Sequence, residues 1–188
     1  MEIITPANEF WIHTKVDKTV MDYVWSQIKL AKNDAKRKLV GHVSSSLDLP
    51  DEKNILVPYI EDAAKRLEYL YEPQLKVQDI WVNFQKKYEF NPLHAHPGVI
   101  SFVLWMKIPY RYEDECKTFH AQNVNDKPRN GCFSFVYTSI LGLVNHYDYL
   151  LDTAWEGTLL VFPSQLKHQV YPFYTSDEER ISIAGNIY

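Results

Sequence analysis

Two histidines separated by one residue are the first feature of this sequence that could do chemistry. His94 and His96 lie in the segment YEFNPLHAHPG, flanked by Pro92 and Pro97. The two prolines argue against a helix, and on an extended backbone residues i and i+2 point to the same side. The pair could therefore share one metal ion. By itself the pattern is weak, because a histidine pair beside a turn is often only solvated or hydrogen-bonded.

A third imidazole becomes available further along the chain. The segment GTLLVFPSQLKHQVYPF contains a strongly apolar run, a turn at Pro163 and Ser164, and then His168 beside Val170 and Tyr171. A histidine at this place could join the first two on one ion, since imidazole nitrogens are common metal ligands. Taken alone, His168 is better explained as an ordinary core histidine.

An arginine and a serine open the last apolar run. In SDEERISIAGNIY, Arg180 precedes Ser182 by two residues, so the two side chains share one face of a strand. Together they suit a carboxylate, because arginine offers a planar pair of donors and serine adds a hydroxyl. Taken alone, Arg180 is better explained by a surface salt bridge with Glu178 or Glu179.

These residue types suit one kind of metal centre. Iron(II) needs imidazole or carboxylate ligands, with positions left open for oxygen and for a cosubstrate. A dianionic cosubstrate such as 2-oxoglutarate also needs a buried counter-charge for its distal carboxylate, and a bidentate arginine supplies it best. The histidines and the arginine together meet these needs, although each has a simpler explanation when taken singly.

Two helices are predicted before the strands that carry these residues. Apolar residues recur at spacings of three and four from Thr19 to about Leu39, where the basic run 36–38 suits the end of a helix. A second helix is predicted from about Ile55 to Tyr71. The polar segment from Gly41 to Asn54, which contains Pro50, is predicted to be a connection across the surface.

Short runs rich in β-branched and aromatic residues follow after Pro73, bounded by Gly, Pro and Asn. They are LKVQDIWVNFQ, VISFVLWMKIP, GCFSFVYTSI, GTLLVFPS and ERISIAGNIY. Helices followed by strands predict an α+β, mainly β fold, with the helices on one face of a closed or sandwiched sheet.

The composition limits the class of protein. With 188 residues we expect a single domain, mainly helical over 1–72 and β over 73–188. A net charge of -4 argues against a general nucleic-acid surface. Two cysteines, Cys116 and Cys132, indicate neither a disulfide framework nor a thiolate zinc site. No leader or membrane span is evident, so we expect a cytoplasmic location, in the host if the source is viral.

The order of the motifs resembles the 2-oxoglutarate and iron(II)-dependent oxygenases, particularly the small prolyl-hydroxylase-like group of phage and bacterial genomes. The resemblance runs from about Gly41 to Tyr188 and is strongest in WVNFQKKYEFNPLHAHPG, GTLLVFPSQLKHQV and RISIAGN. It implies a double-stranded β-helix core, of the jelly-roll or cupin-like kind, with the N-terminal helices packed on one sheet.

The resemblance implies that His94 and His168 bind the iron. The sequence departs from the superfamily at His96, where most members have Asp or Glu, so the catalytic metal ligands would be three histidines. The exchange makes the iron site more positive by one unit. Two alternatives stay open: His96 is a true third ligand, or it turns away and leaves its position to water or to a carboxylate such as Asp148.

The resemblance also implies the cosubstrate residues. Arg180 would bind the distal carboxylate of 2-oxoglutarate, and Ser182 would assist it. Asn83, Gln85 and Tyr88 lie where members of the family often line the cosubstrate pocket.

The implied activity consumes Fe(II)-bound 2-oxoglutarate and O2 and hydroxylates a carbon of a substrate, with peptidyl proline as the first candidate and other peptides or small molecules next. Four aromatic residues could wall the substrate pocket, namely Trp81, Phe84, Trp105 and Tyr171. We interpret the remaining histidines, His13, His42, His120 and His146, as structural or solvated.

Two other classes of protein remain as alternatives. A cupin-like metalloprotein that does not use 2-oxoglutarate could also employ three histidines, but it would have no need for Arg180 and Ser182 together. A non-enzymatic jelly-roll binding module would leave all of these residues incidental. The sequence does not identify the substrate or the oligomeric state.

Overall fold

Two antiparallel sheets make up most of the computed structural model, which describes residues 2, 10–35, 41–66, 77–122 and 127–188. The strands are β1 (Ile12–Lys15), β2 (Ser45–Asp48), β3 (Val77–Gln85), β4 (Asn91–His94), β5 (Ile100–Lys107), β6 (Phe133–Thr138), β7 (Val144–Tyr149), β8 (Thr158–Pro163), β9 (His168–Val170) and β10 (Arg180–Ile187). The large sheet has the order β1-β8-β5-β10-β3-β2, and the small sheet has the order β4-β9-β6-β7.

The helices are few and short. They are α1 (Lys18–Ile28), α2 (Val57–Arg66), α3 (Tyr112–Glu115) and α4 (Phe119–Gln122), with a 3-10 turn at Thr153–Trp155. In the part of the chain that the structure describes, no helix is both long enough and apolar enough to cross a membrane. The mainly β composition that the sequence predicts is confirmed.

The two faces of the large sheet bury different partners. On one face, Val24 of α1 and Ile60 of α2 pack in a single cluster with Ile181 and Ile183 of β10. On the other face, a second cluster joins residues of both sheets, such as Trp105 of β5 and Phe135 of β6. The helices therefore cover one sheet, as predicted, and a second core lies between the sheets.

Strand β10 shows how the period-2 pattern builds the site. Ile181 and Ile183 point to the helices, so Arg180 and Ser182 must point to the opposite face, toward the small sheet. Both neighbours of β10 are long and paired along most of their length, since β3 and β5 flank it in antiparallel register. The polar residues of β10 therefore stand on the most firmly supported strand of the molecule.

The predicted first helix is too long. Helix α1 ends at Ile28, although the prediction extended it to about Leu39; the basic run 36–38 lies outside the described residues. After Ile28 the chain turns toward the edge of the large sheet, where the Ala35 amide donates to the Ser46 carbonyl at 2.9 Å. These backbone hydrogen bonds replace those that a longer helix would form.

The segment from Gly41 to Asn54 is not a plain surface connection, so this prediction is wrong. It contains β2, which pairs with β3 as an edge strand of the large sheet. Ser46 is buried there, and its hydroxyl donates to Asn83 Oδ1 at 3.1 Å. This polar cross-strand hydrogen bond stabilises the pairing of β2 with β3. Because a polar residue occupies the buried position, the segment does not show the apolar alternation by which strands are recognised in a sequence.

The N-terminal part also contributes strands to the core. Strands β1 and β2 precede residue 73 and join the large sheet by pairing with β8 and β3. Helix α2 begins inside the predicted second helix and is described as far as Arg66. The last residues of the predicted helix and the predicted boundary at residues 72 and 73 lie outside the described residues. The single domain stays a prediction, and its first part is less purely helical than expected.

Candidate active site

Three histidines converge between the sheets. His94 ends β4 and lies opposite His168 of β9 in the strand register, while His96 follows two residues beyond β4. Their ring centroids lie 4.3 to 5.0 Å apart, and one ligand nitrogen from each lies within 4.8 Å of the others. Among the described residues, no carboxylate or cysteine joins this cluster.

The backbone orients these rings. His94 Nδ1 lies 2.7 Å from the Pro92 carbonyl oxygen, and His168 Nδ1 lies 3.0 Å from that of Leu166. A carbonyl can only accept, so Nδ1–H donates in both cases and the Nε2 lone pair is left for a metal. The His96 amide donates to the Ser164 carbonyl at 2.9 Å, which ties the residue after the strand to the end of β8.

Burial keeps the three imidazoles neutral. Desolvation lowers the pKa of His94, and it lowers the pKa of His168 further, with the charges of His94 and His96 adding to the effect. Desolvation and then the nearby His94 lower the pKa of His96 from 6.5 to about 4. Near neutral pH, all three rings can therefore bind a cation without first losing a proton.

The donor set fits an iron ion. Imidazole suits divalent iron, zinc, copper and nickel, and three ligands from one side leave positions open on the other. His94, His96 and His168 would hold the metal. Asp148, the alternative carboxylate, is bound elsewhere: it accepts hydrogen bonds from Arg129 at 3.0 Å and Ser134 at 2.5 Å.

Arg180 is a buried cation with neutral neighbours. It is 2% exposed and donates to Gln85, Tyr110, and the carbonyls of Gly131 and Tyr171. Among the described residues no carboxylate forms an ion pair with it. A buried charge without a counter-ion is costly, so this position favours an anionic ligand.

The salt bridge proposed from the sequence for Arg180 does not form. Glu178 pairs instead with Lys107 at 2.5 Å, on the exposed surface. The side chain of Arg180 points to the opposite side of the strand, into the space between the sheets. The simpler explanation of this arginine is therefore wrong.

A cavity connects the histidines with Arg180. Along β3 and β10, Gln85 lies opposite Arg180, Asn83 opposite Ser182, and Trp81 opposite Ala184. The lining residues are Val43, Trp81, Asn83, Gln85, Asn91, His94, His96, Phe102, Val103, Trp105, Phe133, Phe162, His168, Val170, Arg180, Ser182 and Ala184. The cavity thus has three imidazoles at one end, a guanidinium at the other and polar side chains between them.

The structure brings some of the predicted pocket residues to this cavity and leaves others out. Trp81 and Trp105 line it, whereas Phe84 packs on the helix side of the sheet and Tyr171 contributes only its backbone carbonyl to Arg180. Tyr88 needs correction as a cosubstrate residue: its side chain is 59% exposed, beside Tyr174. It lies in the turn after β3, where the backbone has left the pocket.

The other four histidines lie apart from the cluster. His13 lies 3.3 Å from the Tyr149 hydroxyl, His42 stacks on Phe90, His120 stacks on Tyr174, and His146 is exposed on β7. None of them belongs to the candidate metal group found in the described part of the chain.

Tyr110 and Phe173, which support Arg180, were not predicted. Tyr110 is buried, receives a hydrogen bond from the arginine, and donates its own proton to the Gly131 carbonyl at 2.6 Å. Phe173 stacks on Tyr110 with ring centroids 4.8 Å apart. Two of the acceptors are backbone carbonyls, which leave no mark on a sequence, and Tyr110 stands in no recognisable motif.

A buried carboxylate holds the segment that follows β9. Glu115 of α3 is fully buried and accepts hydrogen bonds from the Tyr174 amide, the Thr175 amide and the Thr175 hydroxyl, at 2.6 to 3.1 Å. This segment carries Tyr171 and Phe173, both of which contact the surroundings of Arg180. Helix α3 therefore fixes one wall of the arginine site.

Solved structures of known enzymes share the fold. The prolyl-4-hydroxylase of Pseudomonas putida is 13% identical, with a TM-score of 0.52, and the match covers 95% of this chain and 92% of that one. The viral collagen prolyl hydroxylase vCPH of Paramecium Bursaria Chlorella virus-1, in its 2OG complex, is 11% identical with a TM-score of 0.53, and the match covers 95% of this chain and 96% of that one. HygX of Streptomyces hygroscopicus, with nickel, 2-oxoglutarate and hygromycin B bound, is 9% identical with a TM-score of 0.55, and the match covers 94% of this chain and 82% of that one.

The fold is thus the double-stranded β-helix, and together with the site it defines the class of non-haem iron oxygenases that use 2-oxoglutarate. A family model described as "Putative 2OG-Fe(II) oxygenase" matches residues 79–186, more than half of the chain, and the chain belongs to this family. The enzyme class is that of a dioxygenase, and its cofactors are Fe(II), 2-oxoglutarate and O2. No curated protein matches the sequence.

The family assignment confirms the predicted resemblance, fold, enzyme class and cofactors. It decides against the cupin-like metalloprotein without 2-oxoglutarate and against the binding module. The individual metal and cosubstrate residues stay predictions.

Proposed function

We propose that this dioxygenase holds Fe(II) with His94, His96 and His168, binds the distal carboxylate of 2-oxoglutarate at Arg180, and hydroxylates a carbon of a peptidyl or small-molecule substrate. One observation carries the assignment of residues: a single cavity has the three neutral imidazoles at one end and a buried, uncompensated guanidinium at the other. A metal-chelating dianion such as 2-oxoglutarate meets the chemical needs of both ends.

The residues of the chain contribute positioning and exclusion of water. When bound, Fe(II) with 2-oxoglutarate supplies oxygen activation coupled to oxidative decarboxylation, with succinate and carbon dioxide as products. The backbone carbonyls of Pro92 and Leu166 keep His94 and His168 in the tautomer that leaves Nε2 free. Trp105 lines the cavity with other aromatic rings and limits the access of water.

The polar side chains between the two ends orient the cosubstrate. Ser182 and Asn83 face each other across β10 and β3, between Arg180 and the histidines. Ser46 donates to Asn83 Oδ1, which leaves the amide NH2 of Asn83 as a donor toward the cavity. We propose that both residues donate hydrogen bonds to the oxygen atoms of 2-oxoglutarate.

A third histidine in place of a carboxylate changes the charge of the site. Two histidines and one carboxylate would leave a bound Fe(II) with a net charge of about +1, whereas three neutral histidines leave about +2. The more positive site favours a dianionic cosubstrate. It also alters the redox tuning of the metal, which the surrounding ligands control.

Peptidyl proline is the first candidate substrate, and a small molecule is the second. Similarity of fold to prolyl hydroxylases supports the first, and similarity of fold to HygX, with hygromycin B bound, supports the second. We propose a cytoplasmic location, supported by the two free cysteines, Cys116 and Cys132.

Anaerobic spectroscopy tests the assignment of residues. Fe(II) and 2-oxoglutarate added to metal-stripped protein are expected to give the visible charge-transfer band of the chelated complex. His168→Ala is expected to abolish the band because the metal is lost, and Arg180→Lys to require a higher 2-oxoglutarate concentration because a bidentate contact is lost. His120→Ala is the control, since that ring is exposed and stacks on Tyr174.

The outcomes separate the parts of the proposal. A band of wild-type strength in His168→Ala would contradict the metal site, and an unchanged 2-oxoglutarate requirement in Arg180→Lys would contradict the cosubstrate site. The substrate class follows from succinate release, measured first with proline-containing peptides and then with small molecules. Release with small molecules alone would overturn the peptidyl substrate.

A further inference from the structure

The guanidinium of Arg180 has no donor left for a ligand. Arginine carries five N–H groups, and the protein provides five acceptor contacts for them. Nε and Nη2 donate to Gln85 Oε1 at 3.2 and 2.6 Å, Nη1 donates to Tyr110 and to the Gly131 carbonyl, and Nη2 donates also to the Tyr171 carbonyl at 3.1 Å. A carboxylate can bind this arginine only by displacing one of these partners.

Gln85 is the partner that can leave. The contacts of Gly131 and Tyr171 come from the backbone, and Tyr110 is buried between Phe173 and the Gly131 carbonyl. Of these acceptor residues, only Gln85 lines the cavity. Its amide oxygen also occupies the Nε–Nη2 edge, the edge at which a carboxylate forms a bidentate pair.

The contact made by Gln85 imitates that of a ligand. One neutral oxygen accepts from two N–H groups, where a carboxylate would present two charged oxygens. Hydrogen bonds to a charged acceptor are about twice as strong as neutral ones, so an anion gains more from this edge than Gln85 loses. A neutral ligand has no such advantage over Gln85.

We propose that Gln85 is an internal competitor for the cosubstrate site: its amide oxygen covers Arg180 until a carboxylate displaces it, so that only ligands with an anionic distal group bind. The inference rests on the proposed role of Arg180. After displacement, the Gln85 side chain remains available to the Glu89 carbonyl, to which its amide already donates at 2.5 Å. Gln85 thereby sets both the affinity and the selectivity of the site.

The opposite role for Gln85 predicts the opposite sign. If Gln85 only orients Arg180 for the ligand, its removal must weaken 2-oxoglutarate binding. If it competes, removal must strengthen binding, because the ligand no longer has to break two hydrogen bonds. The sign of one affinity change therefore decides between the two roles.

Calorimetric titration of the Fe(II)-loaded protein with 2-oxoglutarate under anaerobic conditions measures that sign. Gln85→Ala and the volume-conserving Gln85→Met are expected to tighten binding by at least about fivefold, the value of one net hydrogen bond, since two such bonds no longer have to be broken. Gln85→Glu is expected to weaken it by roughly a hundredfold, since a carboxylate on the chain itself would form the ion pair. Gln27→Glu, at a partly exposed position of α1, is the matched control for the added charge.

A second ligand isolates the arginine end. 2-Oxopentanoate has the same 2-oxo acid but a methyl group in place of the distal carboxylate, so its affinity should be equally weak in the wild type and in Gln85→Met. Weaker binding of 2-oxoglutarate to both Gln85→Ala and Gln85→Met, or affinities equal to wild type, would overturn the inference. Absence of 2-oxoglutarate binding in the wild type would instead overturn the proposed function.

Discussion

At the residue scale, His96 would set the charge of the proposed metal site. It stands where most of the superfamily has a carboxylate, and it lies 4.9 and 5.0 Å from the rings of His94 and His168. The alternative in which it turns away gains no support from the structure, because its ring belongs to the cluster and Asp148 is bound to Arg129. We treat it as a third ligand.

Substitution of His96 tests that role. His96→Ala is expected to weaken Fe(II) binding by at least about tenfold, because one of three ligands is lost. His96→Asp is expected to retain Fe(II) but to bind 2-oxoglutarate more weakly, since the site loses one positive unit next to a dianion. Metal titration and calorimetry measure both affinities. The exposed His146→Ala is the control, and unchanged Fe(II) affinity in His96→Ala would remove His96 from the ligand set.

The residues of the site divide into those that sequence reasoning finds and those that it cannot. His94, His168 and Arg180, which line one cavity, were singled out because their types and order resemble those of the family, and their roles stay predictions. Tyr88 was misplaced because a turn with a φ of 71° carries it away from the face of β3. The carbonyl of Gly131 was not found, since a backbone acceptor leaves no trace in residue type.

At the element scale, α3 matters out of proportion to its length. Its last residue, Glu115, is fully buried and accepts hydrogen bonds from Tyr174 and Thr175, which belong to the segment between β9 and β10. A turn of four residues has little stability of its own. The carboxylate therefore joins two weak elements into one wall of the arginine site.

Removal of this carboxylate is expected to affect both stability and cosubstrate binding. Glu115→Ala leaves three donors of the partly buried Tyr174 and the exposed Thr175 without their buried acceptor, so the free energy of unfolding should fall by about 1–3 kcal/mol. The 2-oxoglutarate dissociation constant should rise, because Tyr171 loses its fixed position. Urea unfolding and calorimetry measure the two effects. Glu113, two residues before Glu115, is exposed, and Glu113→Ala should change the free energy of unfolding by less than about 0.5 kcal/mol. Equal effects of the two variants would contradict the role of Glu115.

Element boundaries show where a single sequence stops being informative. β5, β8 and β10 were predicted because their burial on both faces leaves long runs of apolar residues. β2 was not, since SSLD carries almost no apolar pattern and pairs with a distant strand, and the extended backbone at β4 was inferred from the prolines beside His94 and not from an apolar pattern. The length of α1 was overestimated for the same reason: tertiary hydrogen bonds at Ala35 outweigh local periodicity.

At the scale of the whole molecule, the buried histidines couple stability to pH. The pKa values of His94, His96 and His168 are lowered in the folded state, that of His96 to about 4. Between pH 6.5 and about 4 the unfolded chain therefore binds more protons than the folded one. By linkage, the metal-free protein loses stability as the pH falls through this range.

Unfolding measured as a function of pH checks this coupling. His96 should contribute a slope of up to about 1.4 kcal/mol per pH unit between pH 6.5 and about 4, and His94 and His168 should add slopes of the same sign below pH 6.5. His96→Gln removes one titrating group, so its slope should be shallower than that of the wild type. His146→Gln, on the exposed surface, should leave the slope unchanged. Parallel curves for wild type and His96→Gln would mean that His96 is not held neutral.

The placement of the site across two sheets has a mechanical consequence. His94 and His168 belong to the small sheet and His96 lies two residues beyond β4, whereas Arg180 and Ser182 belong to the large sheet. A ligand held at both ends fastens the sheets together, so amide hydrogen exchange in β4 and β9 should slow most when metal and 2-oxoglutarate are both present. Metal alone would bind only residues on the side of the small sheet, so it should slow amide hydrogen exchange less. The cosubstrate would then stabilise the contact between the two sheets. Each turnover converts it to succinate, which is one carbon shorter, so the contact must form again with a new molecule of 2-oxoglutarate.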